Sequence, residues 1–189
     1  MRVISGRAKG RKLKKVPGDT TRPIMDRVKE SLFNILAGTG YITDTRWLDL
    51  FAGTGQVGIE ALSRGAREAI FLDTARAAVR TIQDNLRHTG LQREAQVLQA
   101  DAFAYLRQYV GEPFDVIYVA PPQYKGLWAE VMTLLDERPF HYLSPHGIVV
   151  VQIDPKEFQE LPLRQFHLYD KRRYGNTLLC FYEPVLPDK

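Results

Sequence analysis

Strand-like and helix-like segments alternate from residue 46 to residue 153 with no long linker, and this alternation restricts the fold most. Arg46–Phe51 reads as a strand, Gln56–Arg64 as a helix stopped at Gly65, Ala69–Asp73 as a strand and Ala75–His88 as a helix stopped at Gly90. The pattern continues through strand Ala95–Gln99, helix Ala102–Val110, strand Phe114–Val119, helix Leu127–Glu137 and the β-branched strand Gly147–Ile153. Repeated strand–helix units need a mostly parallel sheet with helices on both faces. The pattern changes at the end. Arg164–Tyr169 and Thr177–Tyr182 flank a Tyr174-Gly175-Asn176 turn and read as an antiparallel pair. Upstream, Ile24, Val28, Leu32, Ile35 and Leu36 recur at helical spacing, so a helix is expected over 24–37, entered at Pro23 and capped at Gly38.

At 189 residues with 44% hydrophobic and 25% charged content, the chain has the balance of one folded domain with a sizeable core. Cys180 is the single cysteine, which excludes an internal disulfide and fits a reducing cytosol. The basic start lacks a signal-like apolar stretch, and no apolar run approaches the ~20 residues of a membrane helix. A cytoplasmic protein is expected. Charge is unevenly placed: residues 1–30 hold ten Lys/Arg against three Asp/Glu, while residues 31–189 hold sixteen against nineteen. A basic arm over residues 1–20, with Val3-Ile4 and Leu13–Val16 as strand-like runs, points to a polyanionic partner, most often nucleic acid. Residues 21–189 form the expected body.

The strongest local signal is Asp49-Leu50-Phe51-Ala52-Gly53-Thr54-Gly55, which ends the first strand and opens a helix. In a doubly wound sheet such a loop lies at the carboxyl edge, where ligands bind. Gly53, Gly55 and Gly58 satisfy G-x-G-x-x-G, and Asp73 follows at the end of the second strand, so a dinucleotide site has to be weighed. Asp49 argues against it. A pyrophosphate belongs at the helix N-terminus, and a strand-end acid would repel it. The carboxylate suits a cationic ligand such as S-adenosylmethionine, with its sulfonium and ammonium. Asp73 would accept ribose hydroxyls, and Asp101-Ala102 would face the adenine amine. The competing reading of each acid, taken singly, is a helix cap.

These motifs resemble the bacterial ribosomal RNA guanine-N2 methyltransferase family, which modifies one guanine of the small-subunit RNA. Arg2-Val3-Ile4-Ser5-Gly6 and Gly10-Arg11-Lys12-Leu13 resemble its N-terminal arm. Thr21-Arg22-Pro23 through Asp26–Glu30 to Phe33–Leu36 resembles its first-helix signature, and Asp49–Gly55 with Gly58–Ala66 its cofactor loop and crossover helix. Arg173-Tyr174-Gly175-Asn176-Thr177 resembles its last turn. The resemblance implies a Rossmann-like class I methyltransferase, an α/β fold with a seven-stranded, mostly parallel sheet and an antiparallel last strand. It implies S-adenosylmethionine as donor, S-adenosylhomocysteine as product and no metal. Asp49, Phe51, Gly53, Gly55, Asp73, Thr74, Asp101 and Ala102 fall on cofactor positions. Arg2, Arg7, Lys9, Arg11, Lys12, Thr21, Arg22 and Pro23 are expected to meet small-subunit ribosomal RNA or an assembling small subunit, with the protein a monomer away from membranes.

The sequence departs from the family at the catalytic motif. Enzymes that methylate exocyclic amines carry Asp or Asn, then Pro-Pro and an aromatic residue, after the fourth strand. Here Ala120-Pro121-Pro122-Gln123-Tyr124 lacks the acid and displaces the aromatic residue by one. Three alternatives stay in view: a non-catalytic assembly factor that binds cofactor and RNA, an amine-directed DNA methyltransferase and, more distantly, a nicotinamide oxidoreductase. His88, His141, His146 and His167 share no metal-ligand spacing.

Overall fold

The computed structural model describes residues 1–18 and 23–188. Thr21 and Arg22, both expected at the RNA surface, lie outside the described residues. Among the described residues seven strands form one sheet: β1 (Arg46–Asp49), β2 (Glu68–Asp73), β3 (Ala95–Gln99), β4 (Phe114–Val119), β5 (Leu143–Ile153), β6 (Phe166–Tyr174) and β7 (Thr177–Pro184). Their order is β3-β2-β1-β4-β5-β7-β6. Neighbours from β3 to β5 are parallel, β7 is antiparallel to both β5 and β6, and β6 therefore runs with β5. This is the expected class I methyltransferase sheet.

The helices are α1 (Asp26–Ala37), α2 (Gln56–Ser63), α3 (Arg76–Thr89), α4 (Ala102–Gln108), α5 (Leu127–Glu137) and the short α6 (Pro139–Tyr142). Strand residues alternate between two cores. Trp47, Phe71, Val116 and Val150 pack with Leu32, Phe33, Ile59 and Ile82 from α1–α3. Leu48, Leu72, Ile117 and Val151 pack with Leu106, Trp128 and Leu135 from α4 and α5. With both faces covered, the central strands are apolar on successive residues, which is why they read as continuous runs. No described helix is long and apolar enough to cross a membrane.

Residues 1–18 lie against the body. Val3, Ala8 and Leu13 belong to the α1–α3 core, and an isolated bridge joins Arg2 to Lys12. The anchor is Glu60, fully buried in α2. Its oxygens accept the main-chain N–H groups of Ile4 (2.9 Å) and Ser5 (3.0 Å) and pair with Lys29 (3.2 Å) and Arg64 (2.9 Å). Lys29 in turn donates to the Arg2 carbonyl at 2.6 Å. Desolvation lowers the Lys29 pKa, and Glu60 pulls it back up. Gly6 fits because a Cβ there would meet the Ser63 carbonyl oxygen at 1.9 Å. Arg2, Arg7, Lys9, Arg11 and Lys12 remain exposed on this docked segment.

Several boundaries shift by one or two residues, with β1 ending at Asp49 rather than Phe51 and α4 at Gln108 rather than Val110, and three differences from the sequence expectation are larger. β5 begins at Leu143 because the β4 pairing shifts between Phe114 and Val116, and that irregularity accommodates Pro145. β6 runs from Phe166 to Tyr174, later than 164–169; as an edge strand it tolerates the charged Lys171-Arg172-Arg173 run that masks its period. α6 is a single turn, too short to leave a periodic signal.

Candidate active site

The carboxyl ends of β1 to β4 meet on one edge of the sheet, with the topological switch between β1 and β4. Asp49 closes β1 and is 2% exposed. Its Oδ1 is buried with no hydrogen-bond partner among the described residues. Burial raises its pKa, the neighbouring Asp73 raises it further, and main-chain groups of Gly58 and Phe51 pull it down, leaving it at about 8. A buried, unmatched carboxyl is costly unless a donor or cation arrives. This one lies at the switch point, where a ligand would supply it.

Asp73 sits beside it at the end of β2. Its Oδ2 accepts the Gly53 N–H and its Oδ1 the Ala75 N–H, both at 2.9 Å, so one side chain fixes the glycine loop and the start of the next turn. Both oxygens keep a lone pair for a ligand hydroxyl. Phe51 is half-buried and Thr74 exposed along the same edge. Gly58, the third glycine of the run, has a packing role: a Cβ there would lie 2.3 Å from the Phe71 ring. Asp101 caps α4 by accepting the Ala104 N–H at 2.9 Å, so its cap reading is realised, with Ala102 buried behind it. A cleft of about 610 Å³ between α4 and α5 reaches this edge only at Asp101.

Across the switch, β4 runs into Ala120-Pro121-Pro122-Gln123-Tyr124. Pro121 is buried, Pro122 and Gln123 are exposed, and Ala120 packs half-buried against the α1–α3 core. Tyr124 is 62% exposed and holds φ +61°, a left-handed conformation that non-glycine residues seldom adopt. Two residues absent from the sequence expectation join it. Glu157 accepts the Tyr124 N–H at 2.7 Å. The neighbouring Asp154 raises the Tyr124 phenol pKa, and the Lys156 N–H, followed by Tyr124, lowers that of Asp154. The acid-Pro-Lys-acid spacing of residues 154–157 at a strand end was the available signal, since it has the form of a helix-capping box. Tyr118, buried on β4 next to Asp49, donates to Gln152.

Because β6 runs with β5, its last residues reach the same edge, bringing exposed Lys171, Arg172 and Arg173 near residues 154–158. Lys171 Nζ lies 4.1 Å from the Phe158 ring centre. The N-terminal segment is split across the molecule. Arg7 bonds Glu94 and the Leu62 carbonyl at the opposite edge, while Lys14 pairs through its main chain with Asn85, which also holds Thr54 of the glycine loop. Pro23 is exposed ahead of α1. Among the described residues no group of His, Cys, Asp and Glu is placed to hold a metal ion.

A family model described as "Conserved hypothetical protein 95" matches residues 1–183. The "Putative rRNA methyltransferase YlbH" of Bacillus subtilis is 40% identical over 97% of this chain and 98% of its own length. "Ribosomal RNA small subunit methyltransferase D" of Escherichia coli is 37% identical over 97% and 89%. The solved structure of the Thermus thermophilus hypothetical protein TTHA0928 superposes with a TM-score of 0.81 at 32% identity, covering 97% of this chain and 99% of that one. The chain thus belongs to the Conserved hypothetical protein 95 family, alongside small-subunit methyltransferase D, and is a methyltransferase of the class I fold.

Proposed function

We propose that this protein transfers a methyl group from S-adenosylmethionine to the exocyclic N2 of a guanine in small-subunit ribosomal RNA. The observation that carries the reading is Asp49: a buried carboxyl with an unmatched oxygen at the switch point asks for a cation and repels a pyrophosphate. Asp49 would hold the cationic end of the cofactor and Asp73 its ribose, with Phe51, Gly53, Gly55 and Thr74 along the loop and Asp101 and Ala102 toward adenine. Bound there, the cofactor supplies an electrophilic methyl on sulfur and leaves as the thioether S-adenosylhomocysteine.

The chain's own part is to hold the nucleophile. The guanine amine is weakly nucleophilic because its lone pair is delocalised into the ring. Ala120 offers no side-chain acceptor for its N–H, so main-chain carbonyls at Ala120-Pro121, held by the proline rings, and the exposed Gln123 amide take that role. Tyr124 presents an open ring on which an extruded base stacks. The amine proton passes from these acceptors to water after the nitrogen–carbon bond forms. Most of the acceleration then comes from alignment of nitrogen, methyl carbon and sulfur.

The names of the relatives support an RNA substrate. Exposed Lys171, Arg172 and Arg173 would meet phosphates next to the target base. Arg2, Arg7, Lys9, Arg11 and Lys12, together with Thr21, Arg22 and Pro23, would extend the contact along the α1–α3 face; Arg7 and Lys9 would touch RNA remote from the guanine. A monomer acting in the cytoplasm on an assembling small subunit fits this surface. Ala120 favours one second reading, an assembly factor that binds both ligands without methyl transfer.

Labelled methyl transfer to small subunits from cells lacking the protein, followed by nucleoside analysis, tests the proposal. N2-methylguanosine at one site is the expected product. Cofactor and particle binding without transfer would select the assembly factor.

A further inference from the structure

We infer that Glu157, on the loop after β5, is a positioning residue that clamps Tyr124 in the conformation needed to receive the target base. The inference rests on the reading of Tyr124 as the base platform. Adjacent strands β4 and β5 run in register, with Val119 opposite Val151, so their following loops leave the sheet side by side. Glu157 ties them together. Its Oε2 accepts the Asp154 N–H at 3.2 Å, closing a capping box on its own loop. Its Oε1 accepts the Tyr124 N–H at 2.7 Å, 33 residues away in sequence.

A cap alone would need only the first of these bonds. The second falls on the residue whose backbone is at φ +61°, a conformation a tyrosine does not hold without support. Support from packing is small, since the ring is 62% exposed and stacks on no other aromatic side chain among the described residues. Asp154, on the same loop and close enough to raise the Tyr124 phenol pKa, has one oxygen fixed by the Lys156 N–H at 2.8 Å. The Tyr124 backbone is thus held from residues 154–157, while the ring stays largely exposed. Lys156, Lys171 and Arg173 are the cations around this acidic pair.

The test uses the full chain with Tyr124→Ala, Glu157→Ala, Glu157→Gln and the Tyr124→Ala/Glu157→Ala double variant. Single-turnover methyl transfer to small subunits should slow about 10- to 100-fold in Glu157→Ala, the range expected for a misplaced reactant. Affinity for S-adenosylmethionine should stay as in the wild type, while the melting temperature falls slightly with the lost capping box. Glu157→Gln, which keeps one acceptor oxygen, should recover most of the rate. In the Tyr124→Ala background the Glu157 change should add nothing, because both act through one ring.

Multiplying losses, or a loss of cofactor affinity, would overturn the clamp and leave the base-stacking reading standing. Full activity in Tyr124→Ala would remove both. A readout free of substrate is hydrogen exchange at the Tyr124 amide, which should speed at least roughly tenfold in Glu157→Ala as its acceptor is lost. Unchanged exchange would overturn the clamp even if no methyl group is ever transferred.

Discussion

Two buried carboxylates, Glu60 and Asp49, lie on the same side of the sheet, in α2 and at the end of the strand before it. Glu60 is matched at every point, by two ammonium or guanidinium groups and two main-chain N–H groups. Asp49 has a bare oxygen, and its pKa is driven up to about 8. The first arrangement is complete within the protein and so serves architecture, fastening residues 2–5 to the body. The second is incomplete and is therefore where a ligand is expected. Burial is shared; satisfaction separates structure from site.

Removing each acid should separate the two roles. Glu60→Ala leaves Lys29 buried and uncompensated and should cost about 3–5 kcal/mol of stability, seen in denaturant unfolding as a fall in midpoint at constant slope. Cofactor affinity of the remaining folded protein should change little. Asp49→Asn should do the reverse, weakening S-adenosylmethionine roughly 30-fold or more by calorimetry while leaving the ligand-free protein at least as stable. The sign follows from linkage. Between the ordinary 3.8 and about 8 the folded state holds a proton at Asp49 that the unfolded chain has released. Stability from this group is therefore present at low pH and lost as pH rises toward 8. Asp49→Asn should remove that loss, so the ligand-free variant should melt above the wild type at pH 8, with the gap closing only as pH falls to about 4.

Asp73 stands between the two cases, with both oxygens used once inside the protein and still able to accept more. Asp73→Ala should weaken cofactor binding about ten- to hundredfold, the effect of losing charge-assisted hydrogen bonds worth ~1.5–3 kcal/mol. Because the Gly53 and Ala75 N–H groups lose their acceptor too, a modest drop in melting temperature should accompany it. The smallest effects belong to the exposed cations. Arg172→Ala and Arg173→Ala should each lower the salt slope of RNA binding by about 1 and leave cofactor affinity unchanged.

Local pattern explains most of what the sequence revealed. β4 and α5 have their expected bounds because periodicity and flanking turns agree there. Asp49 and Asp73 were visible as acids at strand ends, Asp49 just ahead of a glycine run, and the structure brings them together. The docking of residues 1–18 was hidden because its partners are distant: Glu60 is 55 and 56 residues from the groups it fastens, and its charge reads as surface until Lys29 and Arg64 are placed around it. Glu157 was hidden for the same reason. Asp101 shows the converse, a strand-end acid whose nearest use is a helix cap.

The central claim is that Asp49 is kept unmatched for a cationic cofactor, and the affinity for S-adenosylmethionine as a function of pH tests it most directly. Between pH 5.5 and 7 the cofactor has to displace a proton from Asp49, so affinity should rise about tenfold per pH unit, with one proton released on binding, measured by calorimetry in buffers of different ionisation enthalpy. Asp49→Asn should abolish both the slope and the release. A wild-type affinity flat across that range, with no proton released, would contradict the account.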